Sequence, residues 1–317
     1  KQGKLKEAEL STRKAIELNP NLFNFHFFLA KILIEQQKPQ EAEAPLRKTI
    51  ELKPDFFQAH FHLGGILRDL GNFKEAERSM RKAIELKPDS FKAHFNLGNI
   101  LRDLGNLKEA ERSMRKAIEL KSDFLQAHLN LGTIFIDLGN LKEAERSMRK
   151  AIELAPDFAD AHSNLGSILT NLGNLKEAER STRKAIELNP DFDSFHFFLG
   201  DILKRQNKLK ESAQSIRKAI ELNPDLEEAH TSLGIIMQGI GDLEAAERSH
   251  RKVIEINPNS SIGYHNLASL LRARGKLNEA EVYARKSISI DPDCAYGHSI
   301  LGSILINKGR LMEGEKS

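Results

Sequence analysis

The chain has 317 residues, 40% hydrophobic and 29% charged, and its 48 Lys and Arg against 45 Asp and Glu leave a formal net charge of +3. That mixture is too apolar for a disordered polymer and carries no basic excess that would point to a nucleic-acid partner. No run approaches the ~18 apolar residues of a membrane helix. Cys294, the single cysteine, excludes an internal disulfide and any multi-cysteine metal site. One cysteine and the lack of a signal-like or membrane-spanning stretch favour a cytoplasmic location.

Length alone suggests about two domains of roughly 150 residues, but the prolines impose another organisation. Pro20, Pro54, Pro88, Pro156, Pro190, Pro224, Pro258 and Pro292 are separated by 34 or 68 residues, with Ser122 at the one missing position. Such a period marks a stack of near-identical units, each touching mainly its neighbours, so that one continuous ribbon of core is buried. Within the stretch 57–90, Ala59, Leu63, Ile66, Leu67 and Leu70 fall on one face of a helix. Gly71-Asn72 predicts its end, because both residues tolerate the left-handed backbone common at helix C-termini. A second helix carries Phe73, Ala76, Met80, Ala83 and Ile84, and Pro88 closes it by disfavouring helical geometry in the residue before it. Gly64 and Ala76 are small where the two helices must approach closely.

Leu63-Gly64, Leu67, Ala76, Ala83 and Pro88, in that spacing, resemble the tetratricopeptide repeat, and the resemblance runs along essentially the whole chain. It implies an all-α, right-handed α-solenoid, a superhelix of tandem 34-residue helix-turn-helix units whose first helices line a concave groove. In the family's register, residues 1–22 are a partial unit. Full units follow at 23–56, 57–90, 91–124, 125–158, 159–192, 193–226, 227–260 and 261–294, and a partial unit occupies 295–317. Both ends fall inside a unit, so this single solenoid is expected to be a fragment of a longer protein. Where the family places a large aromatic early in the first helix, this chain has His60 and its equivalents His26, His94, His128, His162, His196, His230 and His298. Adjacent equivalents are too far apart to share a metal, about 8–10 Å between packed helices, so these rings are expected to pack, with one nitrogen hydrogen-bonded.

Taken along the chain, the implied groove first meets Phe25, Phe27 and Phe28 in the motif FHFFL, which recurs 170 residues later as Phe195, Phe197 and Phe198. Three rings on one helix cannot all face a hairpin core. Phe27, Phe28, Phe197 and Phe198 are therefore candidate apolar contacts, the alternative being a duplicated block that copied an accident. In the unit 91–124, the core stripe of Ala93, Leu97, Ile100 and Leu104 leaves Lys92, Asn96, Asn99 and Asp103 facing the groove. Asn96 recurs as Asn130, Asn164 and Asn266. An asparagine amide both donates and accepts, so a ladder of them can hold the main chain of an extended peptide whatever its side chains. The arrangement resembles the asparagine ladder in the superhelix of O-GlcNAc transferase; asparagines that merely solvate an open groove are the plainer alternative. No lysine stands one position before this register, so a clamp for a terminal carboxylate is not expected.

The sequence contains no phosphate-cradling Gly-rich loop, HExxH, paired-cysteine motif or nucleophile elbow. The expectation is a non-enzymatic interaction scaffold that needs no cofactor or metal and binds a protein or extended peptide. One alternative is the substrate-recruiting arm of a larger modification enzyme, such as a glycosyltransferase, with its catalytic domain elsewhere. A second is a structural spacer that self-associates through uncapped ends. The basic stripe Arg78, Arg81 and Lys82, repeated in later units, is interleaved with Glu75, Glu77 and Glu85 and is expected to be a solvated outer face.

Overall fold

A computed structural model describes the backbone of residues 2–314 and the side chains of residues 3–309. The described residues form eighteen α-helices and no strand, in two compact units, Lys1–Pro156 and Asp157–Ser317. The first unit holds α1 (Gln2–Leu18), α2 (Phe23–Glu35), α3 (Pro39–Leu52), α4 (Phe57–Asp69), α5 (Phe73–Leu86), α6 (Phe91–Asp103), α7 (Leu107–Leu120), α8 (Leu125–Asp137) and α9 (Leu141–Leu154). The second holds α10 (Ala159–Asn171), α11 (Leu175–Leu188), α12 (Asp193–Arg205), α13 (Leu209–Leu222), α14 (Glu227–Ile240), α15 (Leu243–Ile256), α16 (Ser261–Ala273), α17 (Leu277–Ile290) and α18 (Ala295–Gly314). Consecutive helices pack in pairs, α2 with α3 through α8 with α9 in the first unit and α10 with α11 through α16 with α17 in the second.

The turn inside each hairpin is set by one residue. Gly71 takes φ +80°, its N–H donates to Arg68 O at 2.9 Å, and Asn72 N–H reaches back to Leu67 O at 2.7 Å, satisfying the last carbonyls of α4. Asn72 itself is not left-handed (φ −84°) and serves as the residue before α5. The two FHFFL hairpins lack this glycine, and Gln37 (φ 61°) and Asn207 (φ 63°) adopt the strained conformation instead.

The turn between hairpins depends less on its proline than the sequence suggests. Lys87, before Pro88, sits at φ −143°, ψ 83°, and Lys121, before Ser122, at φ −147°, ψ 93°. The repeat packing imposes the same geometry on both. A histidine closes this turn: Nε2 of His60 lies 2.9 Å from Pro54 O, and His26, His94, His128, His196, His230 and His298 each make the equivalent bond to the carbonyl six residues earlier.

Hairpins close on glycine against a larger side chain. A Cβ on Gly64 would meet Met80 Cε at 2.8 Å and Ala76 O at 3.2 Å, and Gly98 and Gly132 stand likewise against Met114 and Met148. Ala76, Met80 and Ala83 are fully buried.

Candidate functional site

Within each unit, the first helices of neighbouring hairpins touch one another, as in α4 with α6, α6 with α8, α12 with α14 and α14 with α16. No comparably close pair of second helices exists among the described residues. The hairpins are therefore wedged with their first helices on the inside, and the side chains those helices turn away from the hairpin core form an inner face.

In the first unit this face is largely self-satisfied. Arg68 Nε donates to Asp103 at 2.6 Å and Arg102 Nε to Asp137 at 2.9 Å, each bridging one hairpin to the next. Asn130 Nδ2 donates to Asn99 Oδ1 at 2.8 Å. Asn99 is only 9% exposed, so its amide is turned into the contact between α6 and α8 rather than presented to the groove. It holds Asn130 in place, and Asn130 keeps its own carbonyl oxygen for another donor.

Asn96 differs from Asn130. In the same register, its counterpart 31 residues earlier is Gly65, where an added Cβ would meet nothing within 4 Å. Asn96 is half-buried and makes no side-chain hydrogen bond among the described residues. On α2, Phe27 lies edge-on to Phe56 at 5.0 Å and 5.7 Å from His62 of α4, which also meets Phe61 at 5.6 Å. Burial lowers the His62 pKa, and the nearby Lys31 charge lowers it further. Phe28 projects outward, 54% exposed.

The second unit repeats the aromatic motif, with Phe198 turned outward as Phe28 is, while Phe25 is half-buried where Phe195 is buried. Phe195 is buried, Phe197 packs against the core cluster that includes Ala229, Ile236 and Met237, and Phe198 is 40% exposed at 6.1 Å from Phe197. Asn164 is exposed and Asn266 half-buried, each without a side-chain hydrogen bond among the described residues. Ile235, Ile262 and Tyr296 are exposed on the first helices, and Tyr296 stacks on His265 at 5.6 Å.

Arg272 on α16 escaped the sequence reading. It shares the register of Arg68 and Arg102, yet its Nε is buried with no hydrogen-bond partner. The signal was present: Asp103 and Asp137 follow their arginines by 35 residues, whereas Asn307 stands in that place after Arg272.

The second helices carry charge that is spent locally. Arg81 bonds Glu77 and Glu109, and Lys82, Lys116 and Lys150 pair with Glu85, Glu119 and Glu153. Such exposed pairs contribute about 0–1 kcal/mol each.

Models of the tetratricopeptide repeat match residues 29–91, 61–123, 125–158, 159–192 and 251–282, and a TPR repeat model matches 200–241. No curated protein matches the sequence. Among solved structures, the chain is similar to YrrB, described as a TPR protein with an unusual peptide-binding site, at 23% identity over 58% of this chain and 95% of that one, with a TM-score of 0.51. It is also similar to a chain of the APC/C hetero-tetramer Cut9-Hcn1, at 16% identity over 95% of this chain and 59% of that one (TM-score 0.59). Pseudomonas aeruginosa pilF matches at 20% identity over 67% of this chain and 97% of that one (TM-score 0.58). The 34-residue period, the paired helices and these matches together show that the chain belongs to the tetratricopeptide repeat family, whose repeats build protein-interaction scaffolds.

Proposed function

We propose that the chain is a non-enzymatic scaffold that binds an extended peptide segment of a partner protein along the inner face of its first helices. The observation that carries this reading is Asn96: a half-buried amide on that face, without a side-chain hydrogen bond among the described residues, above the open space at Gly65. An amide so placed has been desolvated in part and offers both a donor and an acceptor to a passing main chain. Asn130, oriented by Asn99, offers a second such group in the same unit. In the second unit, Asn164 and Asn266 are the candidate main-chain contacts. Phe28 and Phe198 offer the ring surface, backed by Phe27 and Phe197. Asn99 acts as a positioning residue for Asn130.

The test begins with peptides selected on the full chain from a random phage-displayed library. Asn96→Ala and Asn130→Ala should each weaken a selected peptide by about five- to tenfold, as expected for the net loss of one hydrogen bond of ~1–1.4 kcal/mol. Undiminished binding by the double variant would remove the asparagines from the site.

A further inference from the structure

In the second unit, Arg272 is a cation that none of the described carboxylates neutralises. Arg68 and Arg102 show what this register does when satisfied: each guanidinium donates to a carboxylate on the next hairpin, Asp103 or Asp137. At the third arginine of the register the acceptor is neutral Asn307. Among the described residues no carboxylate pairs with Arg272, and its Nε is buried without a partner. A guanidinium N–H withdrawn from water and left unbonded is costly, and an incoming anion relieves that cost.

The surroundings define the kind of anion. Asn266, Ser269 and Arg272 follow at three-residue steps on α16 and so share one face. The two neighbouring first helices that contact α16 add exposed apolar residues: Ile235 on α14, 31 residues before Asn266, and Ile306 on α18, next to Asn307. Hydrophobic side chains on both of these helices suit a chain that alternates apolar and acidic residues, and not a mobile free anion.

We propose that Arg272 accepts the carboxylate of an acidic residue in an extended peptide, whose neighbouring apolar side chains cover Ile235 and Ile306, with Asn266 on the peptide main chain. The proposal rests on the reading of the inner face as a peptide site and adds to it a chemical preference in the second unit. The partner supplies the carboxylate that Asp103 and Asp137 supply internally in the first unit.

The test uses the full chain and blocked nine-residue peptides that alternate valine and serine around a central glutamate, glutamine or phosphoserine, followed by fluorescence anisotropy at low salt. The glutamate peptide should bind on the order of tenfold tighter than its glutamine twin, the effect of one charge-assisted bond. Arg272→Gln should reduce that ratio to about one. Asn307→Asp, which restores the internal acceptor, should do the same while keeping the arginine. Equal binding of glutamate and glutamine peptides, a preference for phosphoserine alone, or a glutamate preference that survives both variants would overturn the proposal. If the peptides bind without charge preference and Asn96→Ala weakens them, the scaffold reading stands and only the role of Arg272 falls. Absence of binding by every peptide up to millimolar concentration would overturn both.

Discussion

The two compact units use one backbone plan but settle their side chains differently. In the first, the position facing the hairpin glycine is Met80, Met114 and Met148 in succession, and the inner face is tied by Arg68–Asp103, Arg102–Asp137 and Asn99–Asn130. In the second, the same core position is Thr182, Ile216 and His250, and among the described residues Arg272 has no carboxylate partner. A helical repeat thus fixes where helices lie while leaving each position free to be satisfied or not. The positions that are not satisfied are the ones to examine for partners and for instability.

The largest expected difference lies in the cores. Gly98→Leu would drive a bulky side chain into Met114, whose Cε would already lie 2.8 Å from a Cβ at that position. It should cost about 3 kcal/mol in urea denaturation, near the upper range for overpacking. Gly65→Ala, one residue along from the equivalent Gly64, meets open space and should instead add about 0.5–1 kcal/mol through helix propensity. Similar effects from both substitutions would contradict the hairpin packing described for α4 to α7.

Acid should separate the units next. His250 is fully buried, its Nδ1 has no partner and its Nε2 lies 3.2 Å from Gln238 Oε1. Burial, with a smaller contribution from the His265 charge, lowers its pKa to about 4. The unfolded chain, with a histidine pKa near 6.5, binds the proton more readily, so stability is fully present above about pH 6.5 and is lost as pH falls towards 4. Between pH 7 and 5 the loss should be roughly 2 kcal/mol. It should appear as faster hydrogen exchange in α14 and α15, with no matching change in α6 and α7. His250→Met, which installs the residue of the first unit, should flatten the pH dependence; an unchanged slope would place its origin elsewhere.

Smaller effects distinguish the two asparagines. Asn99→Ala strands the Asn130 amide and should cost about 1 kcal/mol of stability, whereas Asn96→Ala should change stability by less than about 0.5 kcal/mol. At the turn of the first aromatic hairpin, Gln37→Gly relieves a left-handed residue and should raise stability by about 0.5–1 kcal/mol. A loss of stability there would mean that Gln37 does more than close the turn.

The helices, their pairing and the small-residue contacts were legible because 34-residue periodicity and 3.6-residue periodicity are both written in residue types. Gly64 against Met80 is one case, since only a close approach requires a residue without a side chain there. The role of Asn99 was not legible. Asn96 and Asn99 share a helix face, and the sequence does not show that the face of one helix meets its neighbour 31 residues away. Once that register is known, Asn99 falls opposite Asn130, and Gly65 opposite Asn96. Arg272 was overlooked for a related reason: an arginine without its carboxylate is visible only after Arg68 and Arg102 reveal a 35-residue pairing. Ser122 shows the reverse, a conspicuous break in the sequence that the backbone absorbs.

Photo-crosslinking of a library-selected peptide tests most directly whether partners lie along the first helices. Benzoylphenylalanine placed at Lys92, exposed on the inner side of α6, or at Arg112, exposed on α7, samples the two faces of one hairpin. The inner-face account predicts peptide crosslinks from position 92 and none above background from position 112. Crosslinks from position 112 alone would contradict it.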